Sequence, residues 1–435
     1  MSEINLSINN ASLFEEICST GNLERGFLAV KRNRGAPGID GVTVDAFDTN
    51  LDEELRQLQE ELWSWSYKPS PVRRVEIPKP DGGIRLLGVP RVRDRVVQAA
   101  LKIALEPIWE PLFSEHSYGF RPNRSQRKAV EAAQKIVQSG KDFVVDLDLS
   151  KFFDRINHDR LISRMGEQII DKRVLRLVGM ILRSGIMKDG LVAPSTEGSV
   201  QGSPLSPLLS NIVLDELDKE LESRGLEFCR YADDCNIFAR TQKAADRIMT
   251  SISGFIERRL KLVVNKEKSQ VARSSSVKFL GMTIIEGTIA ISVKSINRAM
   301  TKVKELIPRG TSETLEDAIK SINQWYVGWS AYYRMTQYPA QLGKIEAHIR
   351  RRLRARIVRQ QKTRRSLFNK LRKMGVKSKL AAGAVFSNRK TWALSHCRAV
   401  ERAYSNKYFE RIGLKTRTKE LHAHWFSIGK WIRLT

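Results

Sequence analysis

The stretch FCRYADDCNIFAR, residues 228–240, places two carboxylates, Asp233 and Asp234, side by side between two strand-like runs. Adjacent like charges repel, and sheet packing has no use for them there. A second pair stands in FVVDLDL, residues 143–149. At the strand period of two, Asp146 and Asp148 share one face, while Phe143, Val145, Leu147 and Leu149 occupy the other. A buried strand carrying two acids on one face needs a counter-charge. If both segments are neighbours in one sheet, three carboxylates converge. Oxygen ligands of that kind suit a pair of Mg²⁺ ions, which keep positions open for phosphates. Two ions about 3.5–4 Å apart activate a 3′-hydroxyl and stabilise a departing pyrophosphate. Taken alone, an Asp pair also suits an ordinary turn.

Recognisable elements must hold those acids. FVVDL begins as a buried strand, and residues 228–240 read as a hairpin with the acids at its turn. Residues 72–89, VRRVEIPKPDGGIRLLGV, form two strand-like runs around Pro80-Asp81-Gly82-Gly83, a strong hairpin signal. A third hairpin spans 277–293, turning at Glu286-Gly287. After VQGSPLSP a helix is predicted, with Ser206 as its cap and Pro207 at its first position. Residues 1–66 read as helices, the last ending near Trp63 and Trp65.

From about residue 295 the texture changes. Leu315, Ile319, Ile322, Tyr326 and Trp329 have the spacing of an amphipathic helix, which Pro339 would stop. Lys344–Lys377 holds 14 Lys/Arg and one acid, Glu346, while Ile345, Ile349, Leu353 and Ile357 recur every four residues. That pattern predicts a helix with an apolar stripe and an otherwise basic surface. A charge run is usually solvated surface, but this density with interleaved Trp and Tyr points to RNA contact.

Bulk composition agrees. The chain has 435 residues, long enough for more than one domain, and a net charge of +27. A surface that basic favours a polyanion, most simply nucleic acid held through its phosphates. No apolar run is long enough to span a bilayer, and the polar start MSEINLSINN lacks a signal-peptide pattern. The four cysteines are scattered without a CxxC pair, which fits a reducing compartment and argues against a zinc cluster.

In order along the chain stand GAPGIDG, IPKPDGGIRLLGVP, HSYGFRPNRS, DLDLSKFFDRINHD, VQGSPLSPLLSN, RYADDCNIFAR, NKEKSQ, VKFLGM and INQWYVGWSAYYR. Over nearly its whole length the sequence resembles a group II intron-encoded reverse transcriptase, of the short bacterial kind lacking an endonuclease domain. The resemblance implies an α+β right-hand polymerase: a helical N-terminal extension and first fingers helices (1–66), fingers and a palm with a mixed sheet (67–290), a helical thumb or maturase region (291–375) and a basic C-terminal region (376–435). It implies template-directed addition of dNTPs to a DNA primer on an RNA template, with two Mg²⁺ ions or Mn²⁺ in their place. Binding of the parent intron RNA to assist splicing and retrohoming comes with it. The expected setting is a bacterial cytoplasm, without membrane, as a monomer or homodimer. Two other readings stay open: a domesticated enzyme serving its host in repair or defence, and a splicing-only RNA-binding maturase.

The same resemblance assigns residues. Asp148, Asp233 and Asp234 match the metal-binding triad. Asp148 is chosen over Asp146 because an aromatic, Phe153, follows five residues later, where the family has a steric gate against a ribose 2′-OH; Asp146 is then a supporting residue. Lys79 and Arg85 match the pair that grips the incoming triphosphate, although a plain surface hairpin carries such charges too. Gln201 and Gly202 open the segment that lies along the nucleotide. There the family's PQGGxLSP is replaced by Val200 and Ser203-Pro204. Lys268 matches a lysine proposed to protonate the leaving pyrophosphate, and Phe279-Leu280-Gly281 the primer grip. Tyr118–Arg121 match a fingers motif in which Phe120 serves equally as core and Arg121 as a structural ion-pair partner. Arg121, Arg124, Arg350, Arg351 and Arg354 are the candidate RNA and template contacts.

Overall fold

The computed structural model describes residues 12–78, 82–188, 191–193, 198, 202–308, 310 and 313–417. The chain divides into two compact units, Met1–Arg273 and Ser274–Thr435. Among the described residues the strands are β1 (Val72–Pro78), β2 (Ile84–Val89), β3 (Phe143–Leu147), β4 (Ile186–Lys188), β5 (Leu191–Ala193), β6 (Glu227–Tyr231), β7 (Asp234–Ala239), β8 (Gln270–Arg273), β9 (Met282–Ile285) and β10 (Thr288–Ile291). Among the described residues no helix is long and apolar enough to cross a membrane.

In the first unit, helices come first. Thr20–Asn33 starts where the Ser19 side chain accepts from the Asn22 N–H, and Leu51–Trp63 follows, ending where the sequence places it. Both lie with helix Val92–Trp109 in one core that includes Phe27, Leu58, Val96, Leu101 and Trp109. Two four-stranded sheets follow. One has the order β2-β1-β4-β5, with β1 antiparallel to β2 and parallel to β4. The other has the order β6-β7-β3-β8, and all three of its ladders are antiparallel. Parallel and antiparallel pairing thus both occur within residues 67–290, as expected. The parallel ladder belongs to the hairpin sheet, and the acid-bearing sheet has only a single parallel bridge, Ser117 to Arg230, among the described residues. The helix after VQGSPLSP runs Ser206–Ser223 with Leu205 as cap, one residue from the expected start.

The second unit opens with the β9–β10 hairpin. Its two turn residues, Glu286 and Gly287, both have positive φ (49° and 73°), the geometry that twists a two-residue hairpin correctly. Helices Val293–Leu306, Leu315–Tyr333, Pro339–Arg359, Arg364–Lys373 and Ser378–Val385 then surround a core with Ile322, Tyr326, Ile345, Ile349, Leu353 and Phe409. Pro339 opens a helix here, a place where its missing N–H costs nothing. The basic stretch is two helices, split at residues 360–363, and its surface is less basic than its composition. Arg352, Arg354 and Arg356 are buried. Arg352 donates to the carbonyls of Lys304 and Ile307, satisfying the C-terminal end of Val293–Leu306. Arg356 donates to the carbonyls of Glu313 and Thr314.

Candidate active site

Strand pairing brings the acids to one edge. β3 and β7 align Asp146 with Asn236 and Leu147 with Cys235, so Asp148 stands one step past the ladder, at the end where β7 begins with Asp234. Asp233 occupies the turn between β6 and β7 beside Ala232, whose φ is +57°. Burial raises the pKa of Asp233. A hydrogen bond from its own backbone opposes this, the Asp148 charge raises it further, and Arg85 and Arg230 pull it down. Asp148, Asp233 and Arg85, far apart in sequence, therefore share one electrostatic neighbourhood. Asp146 accepts from Gln270 Nε2 at 3.3 Å across β3 and β8, a bond within the sheet.

Asp233, half-buried beside the Asp148 charge, is costly to ionise, and the two carboxylates are a donor set for a hard divalent cation, which would relieve the repulsion. Asp148 and Asp233 fit that group. Among the described residues no three His, Cys, Asp or Glu side chains already form a metal-binding cluster. Asp234 is adjacent in the hairpin, paired across it with Tyr231.

The backbone of Asp148 is held from a fourth segment. Its N–H donates to Ser269 Oγ at 3.0 Å, and its carbonyl accepts from the Asn265 N–H at 2.8 Å. Lys268 lies in that turn, its N–H donating to the Asn265 carbonyl and its side chain exposed. The turn around Lys268 is thus fastened to the main chain of a proposed ligand.

Sequence reading missed Arg230, which precedes the acids. It is fully buried and its ion pair with Asp218 closes at 2.5 Å. Its remaining N–H groups reach Asn211 Oδ1 (3.0 Å), Ser117 Oγ (2.8 Å) and the Ala232 carbonyl (2.9 Å). Asn211 in turn donates to the Gly119 carbonyl at 2.8 Å. One guanidinium therefore ties the turn holding Asp233 to the SYGF and SPLLSN segments. Gly119 lies so close to the backbone of Tyr231 and Ala232 that any Cβ would clash. The signal available in the sequence was an arginine in a strand that must be buried, which requires an acid such as Asp218 nearby.

On the nucleotide side, Phe153 lies on a short 3₁₀ turn, Phe152–Arg155, packed edge-on to buried Phe152 at 5.2 Å. Phe120 is 47% exposed and tilted against Tyr231, which makes it surface rather than core. Gly202 has φ +107° and sits against the Gly88 carbonyl of β2. Ser203, a departure from the usual pattern, is buried and donates to Gln98 Oε1 at 2.7 Å, so the change builds an anchor to helix Val92–Trp109. Lys79 and Gln201 lie outside the described residues.

In the second unit, Phe279 and Met282 exchange both backbone bonds at 2.9 Å around Leu280-Gly281, which have positive φ. Tyr332 Oη donates to the Leu280 carbonyl at 2.5 Å and Ser295 Oγ to that of Gly281 at 2.8 Å. The five candidate template arginines are all engaged. Arg121 is buried, paired with Glu110 and donating to the carbonyls of Ser114 and Ser117. Arg354 is buried against the Tyr404 carbonyl and Glu401. Template contact is withdrawn for these two, because their donors are turned into the fold. Arg124 pairs with Glu115, Arg350 with Glu346, and Arg351 donates to His396 Nδ1 while stacking on Trp392; all three are half-buried.

Residues 77–284 match the family reverse transcriptase (RNA-dependent DNA polymerase), and residues 296–375 the group II intron, maturase-specific domain. Protein YkfC of Escherichia coli K12 is 35% identical over 288 residues, 57% of this chain and 76% of that one. Group II intron-encoded protein LtrA of Lactococcus lactis is 32% identical over 240 residues, 55% of this chain but 39% of that one. A telomerase structure from Candida albicans aligns at 13% identity over 83% of this chain and 71% of that one, with a TM-score of 0.42. The chain belongs to the reverse transcriptases of the group II intron family, RNA-directed DNA polymerases that carry a maturase-specific domain.

Proposed function

We propose that the chain extends a primer 3′-hydroxyl with deoxynucleotides on an RNA template, at the corner formed by Asp148 and Asp233. The convergence of those two carboxylates with Arg85 carries the reading. Asp148, Asp233 and Asp234 would hold divalent metal, two Mg²⁺ ions by preference. When bound, such ions polarise the attacking hydroxyl and neutralise charge on the pyrophosphate. Arg85, exposed on β2, and Lys79 hold the triphosphate, and Lys268 supplies a proton to the leaving group. Phe153 excludes a ribose 2′-OH by occupying its space. Phe279, Leu280 and Gly281 grip the primer. The maturase-specific domain supports binding of intron RNA, with Arg124, Arg350 and Arg351 at its phosphates.

Primer extension by wild type and Asp233→Asn tests this. The variant is expected to lose extension by on the order of 10³-fold, the equivalent of several kcal/mol of charge stabilisation, while RNA affinity is unchanged. Full extension by the variant would refute the assignment.

A further inference from the structure

His158 is a buried histidine that none of the roles above uses. It is the first residue of helix His158–Gly166, three positions past the turn that carries Phe153. Its Nε2 lies 2.6 Å from the carbonyl oxygen of Gly198, 40 residues away. A carbonyl only accepts, so Nε2 carries the proton and donates. Among the described residues Nδ1 has no hydrogen-bond partner.

Gly198 is held a second time, its N–H donating to the Ile156 carbonyl at 2.8 Å. Its own carbon sits directly on the Phe153 turn. A Cβ there would stand 3.1 Å from both the Phe153 carbonyl oxygen and Asp154 Cα, and its φ is +97°. The main chain at Gly198 is thus a wall against the back of the Phe153 turn, while Phe152 fixes the turn from the core side. Downstream, Ser203 is anchored to Gln98 and Gly202 lies against β2.

We propose that His158 is a positioning residue for sugar selection, setting through its Gly198 bond how firmly the Gly198 main chain backs the Phe153 turn. The inference rests on Phe153 acting as the gate. If the bond is lost, the wall recedes, the Phe153 turn gains room, and a nucleotide with a 2′-OH fits. The chemical step is untouched, so the effect falls on the ratio of dNTP to rNTP use.

The test uses the full chain in single-nucleotide extension, measuring kcat and KM for a dNTP and its matching rNTP. The variants are Phe153→Val, His158→Gln, His158→Asn and Gly198→Ala, each checked for folding by thermal unfolding. A glutamine amide reaches the place of Nε2 and an asparagine amide that of Nδ1. His158→Gln is therefore expected to retain discrimination. His158→Asn is expected to lose about tenfold, chiefly through a lower KM for the rNTP, in line with the loss of one buried hydrogen bond. Gly198→Ala pushes the wall from the other side and is expected to change the same ratio, which keeps the test alive if His158→Asn does not fold. Unchanged discrimination in Phe153→Val would sink the gate. A changed ratio in Phe153→Val, with His158→Asn and Gly198→Ala matching wild type, would overturn the role of His158 alone.

Discussion

The acid corner and the basic helix Pro339–Arg359 treat charge in opposite ways. At the corner, carboxylates meet at the edge of a sheet, their main chain tied by Ser269, Asn265 and Arg230, and the Asp148 charge adds to the burial that raises the pKa of Asp233. In the helix, arginines that look like a polyanion surface bend inward and end on carbonyls, as Arg352 does at Ile307 and Arg356 at Glu313. A half-buried like-charge pair is costly and is a candidate mark of function, whereas a guanidinium with a long apolar stem serves structure readily. Charge that the fold leaves unsatisfied is informative; charge counted along the chain is not.

Arg230 breaks the comparison most sharply, since it is a structural arginine placed at the corner. Arg230→Met leaves Asp218 buried and unpaired, and is expected to destabilise the first unit by about 3–5 kcal/mol in denaturant unfolding. Adding Asp218→Asn should recover most of that stability. Extension should stay low in the double variant, because the turn carbonyl at Ala232 remains unheld. Recovery of both together would mean that Arg230 serves folding only.

A middle-sized effect separates inward from outward arginines in the second unit. Arg352→Ala removes donors from two carbonyls at a helix end and should cost about 1–3 kcal/mol, with RNA affinity unchanged. Arg365 is exposed on helix Arg364–Lys373, and Arg365→Ala should leave stability alone and reduce the salt slope of RNA binding by about one. The reverse pattern would restore the composition-based reading.

The smallest effect concerns an acid that is fully satisfied. Asp171 caps helix Lys172–Leu182. Burial raises its pKa, but bonds from the Arg173 side chain and the N–H groups of Arg173 and Phe14 outweigh this and the net shift is downward. A depressed carboxylate contributes stability above its unfolded pKa, about 3.9, and loses it as pH falls through the folded value. Asp171→Asn keeps a capping oxygen but loses the charge that Arg173 pairs with, and should therefore unfold about 1 kcal/mol more easily than wild type at pH 6. The gap should close in strong acid, and a gap independent of pH would show that charge is not involved.

How much was legible follows the same division. The hairpins at 72–89, 228–240 and 277–293 came from turn residues and alternation, which are local. The expectation that the two acid-bearing segments are neighbours came from a period of two plus the requirement for a counter-charge, while the choice of Asp148 over Asp146 came from the family resemblance. Arg230, Asn211 and His158 were not legible, because their meaning lies in partners 12 to 113 residues away that no local pattern names. The break at 360–363 was missed because the apolar stripe continues across it. The order β6-β7-β3-β8 was not legible, because strand order is not written in strand composition.

The most direct measurement is Mn²⁺ binding to the full chain in the presence of a primer–template, followed by electron paramagnetic resonance in wild type, Asp148→Asn and Asp233→Asn. Both variants should lose a tight site that wild type fills. Equal affinity and stoichiometry in all three would mean that these carboxylates do not jointly hold the ion, and the corner would need another explanation.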